Sequence, residues 1–107
     1  MNFIKTNIDT ANKKEVYRLT KGDSTKIEGL EKGLSIPVDK YALYEEGDKK
    51  VLTFISGNQK YGTISATFIK SFMEILDIME DEEFAVVITG GQSKNGRNYV
   101  NCELDCN

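Results

Sequence analysis

Lys94, Arg97 and Tyr99 stand close together near the end of the chain, in the stretch Gly90-Gly91-Gln92-Ser93-Lys94-Asn95-Gly96-Arg97-Asn98-Tyr99-Val100-Asn101-Cys102-Glu103-Leu104. The glycines and polar residues mark a turn, and the residues after it alternate. Val100, Cys102 and Leu104 fall on one face of a strand, with Tyr99, Asn101 and Glu103 on the other. The Tyr99 ring therefore points away from the core, beside two cations. Bases stack on aromatic rings and phosphates need positive charge, so this is the combination that single-stranded nucleic acid requires. An ordinary hairpin carrying one tyrosine on its outer face has the same pattern.

Other chemistries find little support. Histidine is absent, which removes the commonest general base and the commonest metal ligand. Two cysteines without further ligands cannot close a structural zinc site. Cys102 and Cys106 sit four apart, where an extended strand separates their Cα atoms by ~13 Å, beyond disulfide reach. They read as reduced thiols, with Cys102 a small core residue. Carboxylate pairs such as Glu45 with Glu46 or Glu82 with Glu83 are neighbours in sequence and read as solvated surface. Gly90-Gly91 followed by Gly96 matches neither phosphate-cradling glycine spacing and precedes a strand. The composition argues against an enzyme, and no cofactor or metal is expected.

At 107 residues, 39% hydrophobic and 29% charged, the chain is expected to form one domain, residues 1–107, with one core. No apolar run approaches the ~20 residues that cross a bilayer, and Met1-Asn2-Phe3-Ile4-Lys5 lacks the apolar region of a signal peptide. A cytoplasmic protein without a membrane partner is the expectation.

Residues 14–19 read as a first strand, followed by a turn at Lys21-Gly22-Asp23-Ser24. Leu34, Ile36 and Val38 alternate into Tyr41-Ala42-Leu43-Tyr44 as one long strand, whose Pro37 argues for an edge, an end or a bulge. Val51 to Ser56 is a third strand, and Tyr61 to Ile64 a fourth. In the third, Val51 and Ile55 compete with Leu52 and Phe54 for the inner face, as happens where both faces are covered. From Thr67 the period becomes helical, with Phe68, Phe72, Ile75, Leu76 and Met79 on one stripe. Ser65 or Thr67 supplies the N-cap of a helix over about residues 66–80. Phe84 to Thr89 and the strand after the Gly90 to Asn98 turn complete the set. The predicted fold is mainly β (α+β): a barrel or a strongly curved sheet of five to six antiparallel strands with one amphipathic helix.

Charge is unevenly spread. The chain totals −3, which argues against a strong non-specific duplex binder. Residues 74–83 hold six acidic side chains and no basic one, so the remainder sums to +3. Glu80-Asp81-Glu82-Glu83 lie at a helix C-terminus, where the macrodipole disfavours negative charge. They mark a solvated turn, a face that repels nucleic acid, or a contact for a basic partner. Lys13, Lys14, Arg18, Lys21 and Lys26 cluster early, against Glu15 and Asp23 alone.

Four stretches carry a resemblance: Val16-Tyr17-Arg18-Leu19-Thr20-Lys21, Tyr41-Ala42-Leu43-Tyr44-Glu45, the segment Tyr61 to Phe72, and the segment Gly91 to Leu104 with its Gly-x-Ser-Lys-x-Gly-Arg-x-aromatic pattern. In order and spacing they resemble the small single-stranded DNA-binding proteins encoded by phages of Gram-positive bacteria, including phages with protein-primed replication. That resemblance implies an oligonucleotide-binding (OB-like) barrel in which Lys94 and Arg97 meet phosphates and Tyr99 stacks a base. Lys14 and Arg18 from the early cationic cluster, with Tyr41 and Tyr61, are the further candidate binding residues. Which of Tyr17, Tyr41, Tyr44, Phe54 and Tyr61 are core rings and which stack on bases stays open.

The implied function is sequence-tolerant coating of exposed strands during phage or prophage DNA replication. Its partners would be single-stranded DNA, with replication proteins and further copies of the chain as candidates, in the cytoplasm of a bacterial host. The chain departs from the pattern in its tail, Asp105-Cys106-Asn107, and in carrying its acidic run inside the domain. The alternative is a non-catalytic protein-interaction module or DNA mimic acting through the carboxylates of residues 74–83.

Overall fold

The computed structural model describes residues 1–92 and 94–107, so Ser93 of the glycine-serine-lysine pattern lies outside the described residues. In chain order the elements are β1 (Asn2–Thr6), α1 (Lys13–Thr20), β2 (Thr25–Lys26), a 3-10 turn (Ile27–Gly29), β3 (Ser35–Val38), β4 (Lys40–Glu46), β5 (Lys49–Ser56), β6 (Gln59–Thr63), α2 (Ala66–Met79), β7 (Phe84–Gln92) and β8 (Asn98–Leu104). They form a five-stranded sheet of order β1-β4-β5-β6-β2 and a three-stranded sheet of order β3-β7-β8. The mainly β class holds. The closed antiparallel barrel does not: among the described residues the two sheets remain separate, β2 pairs parallel to β6, and there are two α-helices.

The reason lies in β4 and β5. Tyr41 and Leu43, with Leu52 and Phe54, face a core filled by α2 and the three-stranded sheet. The alternate residues Ala42, Tyr44 and Ile55 face the other way and pack with Leu19 of α1. The competition between the two faces of β5 is thus resolved by covering both. A sheet whose two faces are each covered by other layers need not curl onto itself to bury its apolar surface.

Residues 14–19 are helical, a correction to the strand reading. Asn12 caps α1 by accepting a hydrogen bond from the Glu15 amide at 3.3 Å. Val16, Leu19 and Thr20 then share one face at helical offsets, and Leu19 is 1% exposed against the five-stranded sheet. Over six residues a period of two and a period of 3.6 both accommodate Val16 and Leu19, and only the packing surface separates them. The N-terminal strand β1 carried no expectation in the sequence; it pairs antiparallel with β4, Thr6 opposite Ala42.

The predicted long strand breaks at Asp39 into β3 and β4, which belong to different sheets. Asp39 makes the corner by accepting from the Gly57 amide at 2.7 Å while donating its own amide to the Ile55 carbonyl at 2.9 Å. Pro37 lies on β3, at the edge of its sheet, where a missing N–H costs nothing. α2 matches its predicted span closely. Ser65 is the cap, accepting from the Phe68 amide at 3.2 Å, and Phe68, Ile69, Phe72, Ile75 and Leu76 form the buried stripe. No helix among the described residues is long and apolar enough to cross a membrane.

α2 ends in a conformation that its sequence resists. Glu80 sits at φ 55°, ψ −117°, and the Glu82 amide donates to the Met79 carbonyl at 3.0 Å. These angles are those of the first central position of a type II′ turn, which glycine adopts freely and a side chain does not. Such strain costs ~1–3 kcal/mol. Glu80→Gly is expected to raise stability by ~1 kcal/mol, read as a higher thermal midpoint. Glu80→Gln, which removes the charge and keeps the Cβ, should recover less.

Cys102, 3% exposed in the core, is pushed up from its ordinary value to about 12, chiefly by burial and secondarily by Glu103. Burial likewise raises Tyr41 and Tyr44. A folded thiol that keeps its proton stabilises the fold fully below its unfolded value, near pH ~8.5, and that contribution disappears as pH rises toward the folded value. Urea midpoints should hold steady up to about pH 8 and fall between about pH 8.5 and 10. In Cys102→Ala the fall over that interval should be visibly shallower.

Candidate nucleic-acid interface

The β7 and β8 strands are longer than the sequence pattern predicts, running to Gln92 and resuming at Asn98. Lys94 and Arg97 are therefore exposed at the very tip of the hairpin. The strand phase is as predicted: Val100 and Cys102 are buried at 4% and 3%, while Tyr99 is 44% exposed. Tyr99 lies directly opposite Gly91, and its ring leans across that glycine, its hydroxyl 3.3 Å from where a Cβ at position 91 would stand. Covering a glycine with a cross-strand aromatic satisfies the hairpin and still leaves part of the ring open.

Gly90 is the other half of this floor. A Cβ there would come within 2.3 Å of the Tyr99 carbonyl oxygen and 3.0 Å of Lys32 Cε, so only glycine lets the three approach. Lys32 reaches this point because the segment before β3 is tied to β7. The Gly33 amide donates to the Ile88 carbonyl at 2.7 Å, and the Ile88 amide donates to the Leu34 carbonyl at 2.9 Å. The result is a groove of about 490 Å³ lined by Leu30, Lys32, Gly90, Gly91, Tyr99 and Val100, together with Glu28, Gln92 and Asn98. Its volume falls in the usual range for sites that take small organic ligands. Glu28 is partly occupied, accepting a hydrogen bond from the Thr63 hydroxyl at 2.5 Å.

The remaining candidates are not gathered here. Lys14 and Arg18 project from α1, on the face of the five-stranded sheet opposite to the three-stranded one. Neither forms a salt bridge among the described residues, and Tyr17 beside them is 68% exposed. Neighbouring cations are committed elsewhere: Lys40 pairs with Glu15, and Lys21 with Glu46 at 3.4 Å. Lys60 donates to the carbonyls of Arg18 and Lys21, closing the C-terminal end of α1. Its pKa is lowered chiefly by burial, with Asp23 pulling it up and Arg18 pushing it down.

Tyr41 and Tyr61 belong to the core rather than to an exposed surface. Tyr41 is 6% exposed and meets the Phe72 ring edge-on at 5.8 Å. Tyr61 is half-buried and stacked on Phe54 at 5.3 Å. Both alternate correctly for stacking residues in sequence, but α2 closes over the face they occupy. Lys32, conversely, is missed by sequence reading. Its neighbours Glu31 and Gly33 announce only a turn, and the strand it docks against lies more than fifty residues later.

The acidic run lies far from this groove. Glu80, Asp81, Glu82 and Glu83 line a cleft of about 310 Å³ together with Asp39, Asn7 and Tyr41. It opens at the Phe84 end of β7, whereas the groove lies at the Gln92 end, ~26 Å away at the rise of an extended strand. The molecule is thus acidic at one end of β7 and carries Lys32, Lys94 and Arg97 at the other. Comparison of the chain with known protein families, with characterised proteins and with solved structures finds no match.

Proposed function

We propose that this protein binds single-stranded DNA without sequence preference, through the β7–β8 hairpin and the groove beside it. The observation that carries the reading is Tyr99, a half-open ring laid over a glycine floor with Lys32 at its side and Lys94 and Arg97 at the hairpin tip. A base that stacks on Tyr99 brings its flanking phosphates among these three cations. Stacking is indifferent to base identity, because every base presents a π-face. The acidic cluster at the far end of β7 would favour one orientation of approach through long-range repulsion. The resemblance of the Gly91 to Leu104 segment to phage-encoded single-strand binders points the same way. A role in protecting exposed strands during phage or prophage replication rests on that resemblance, and Lys14, Arg18 and Tyr17 would form a second, weaker contact on α1.

The competing reading is a protein-interaction module or DNA mimic. It is favoured by the gathering of four consecutive carboxylates and Asp39 into one cleft. The two readings put opposite charges on the working surface.

Oligo-dT titrated into the protein at low salt, followed by tyrosine fluorescence, distinguishes them. Binding is expected, and Tyr99→Ala should weaken it by ~1–3 kcal/mol with little change in thermal midpoint, since the ring lies outside both core clusters. Replacing Lys94 and Arg97 together by Ala should flatten the plot of log affinity against log salt by ~1.4, about 0.7 for each lost phosphate contact. Lys32→Ala should remove a further contact of the same size. Neutralising Glu80 to Glu83 should leave affinity unchanged or slightly raised. Absence of oligonucleotide binding at low salt would transfer the function to the acidic cleft.

A further inference from the structure

A further groove lies away from both the hairpin and the acidic cleft, at the N-terminal end of α2. It measures about 610 Å³, and Ile4, Leu43, Ile69 and Met73 supply apolar walls. Ile64, also in the lining, is 60% exposed and Ile4 42%, so the apolar surface is open to solvent. Lys49, Lys50 and Lys70 stand around it, against Asp48 in the lining and Glu45 directly across the β4–β5 ladder from Lys50. The first turn of α2 adds the partial positive charge of its unpaired amides.

The opposite end of the same helix has the complementary character. Ile78 is 75% exposed, the most exposed large hydrophobic residue among those described, and it is followed by Glu80, Asp81, Glu82 and Glu83. Those carboxylates oppose the macrodipole of their own helix, an arrangement that local energetics does not favour. Against the N-terminal end of another α2 they would gain from the dipole rather than lose. The two ends are separated by the length of α2, ~20 Å at 1.5 Å per residue, so one copy cannot satisfy both.

We propose that the chain associates head to tail, with Ile78 and the acidic end of one copy seated in the groove formed by Ile4, Leu43, Ile69 and Met73 of the next. Apolar contact supplies attraction, and Lys49, Lys50 and Lys70 select the acidic end by charge. The contact joins two different surfaces, so it leaves a free groove at one end of every pair and a free knob at the other. It therefore builds a row or a closed ring of copies rather than a twofold dimer. The hairpin with Tyr99 lies on neither contacting surface and stays accessible in every copy. The contact needs no nucleic acid.

Light scattering on the purified protein without DNA provides the test. At low salt the mass should rise with protein concentration above the 12.0 kDa of one chain, and fall back as salt screens the charges. Reversing the groove, Lys50→Glu with Lys70→Glu, should give monomers, because groove and end would both be acidic. Reversing the end, with Glu80, Asp81, Glu82 and Glu83 all changed to Lys, should also give monomers, because groove and end would both be basic. An equimolar mixture of the two variants should associate again, each groove now facing an end of opposite sign. Ile78→Ser, a change at an exposed position, should weaken association at least tenfold while leaving circular dichroism unchanged. A wild-type protein that stays monomeric throughout, or folded variants that associate alone or fail to associate when mixed, would overturn the head-to-tail contact. Either result leaves oligonucleotide binding, measured separately, as it was.

Discussion

The structure depends on the five-stranded sheet being buried on both faces. Phe54, fully buried at the centre of β5, is stacked on Tyr61 at 5.3 Å, on Phe72 at 5.6 Å and on Phe68 at 6.5 Å. These contacts join β6 and α2 to the same point of the sheet. One residue further along, Ile55 belongs to the opposite cluster, with Leu19 of α1. Because neighbouring residues of one strand serve two cores, β5 cannot slip by one position without sending the residues of each core to the other face and spoiling the packing of both. The registers of β4 and β6 against it inherit that constraint.

Burial on both sides also decides what the rest of the chain can offer to a partner. The central strands are consumed by packing, so exposed chemistry is pushed to the periphery: the β7–β8 hairpin, the outer side of α1 and the two ends of α2. The three-stranded sheet projects its hairpin past the core, which is why Tyr99 stays open while Val100 and Cys102 beside it are sealed. Lys32 is delivered to that hairpin by backbone hydrogen bonds between the chain before β3 and β7. A binding surface of this kind is assembled from segments distant in sequence and is fixed by strand pairing rather than by a motif.

Charge obeys the same geometry. A chain of net charge −3 can still present a cationic working end, because β7 holds its acidic neighbours and its hairpin cations at opposite ends. The macrodipole of α2 adds to this polarity instead of cancelling it, since the carboxylates stand at its negative end. Glu80 holds a left-handed backbone there at a cost, in a turn that glycine would make without strain.

Wherever a pattern was long and one-sided, the sequence by itself determined the outcome. The stripe of Phe68, Phe72, Ile75 and Leu76 defined α2 and its place in the core, and left its cap to Ser65 or Thr67. The alternation of Val100 and Cys102 defined which way Tyr99 points, and Pro37 narrowed its own place to an edge, an end or a bulge. Tertiary structure alone decided the rest, for a common reason: short segments are compatible with more than one period, and the surface they pack on chooses. Residues 14–19 became a helix because the back of the five-stranded sheet needed covering. Tyr41 and Tyr61 became core rings because α2 closes over their face. Two sheets remained open where a barrel was expected, because two other layers already hid their apolar surfaces. Lys32 joined the hairpin through backbone pairing across more than fifty residues, a contact between segments that no local spacing encodes.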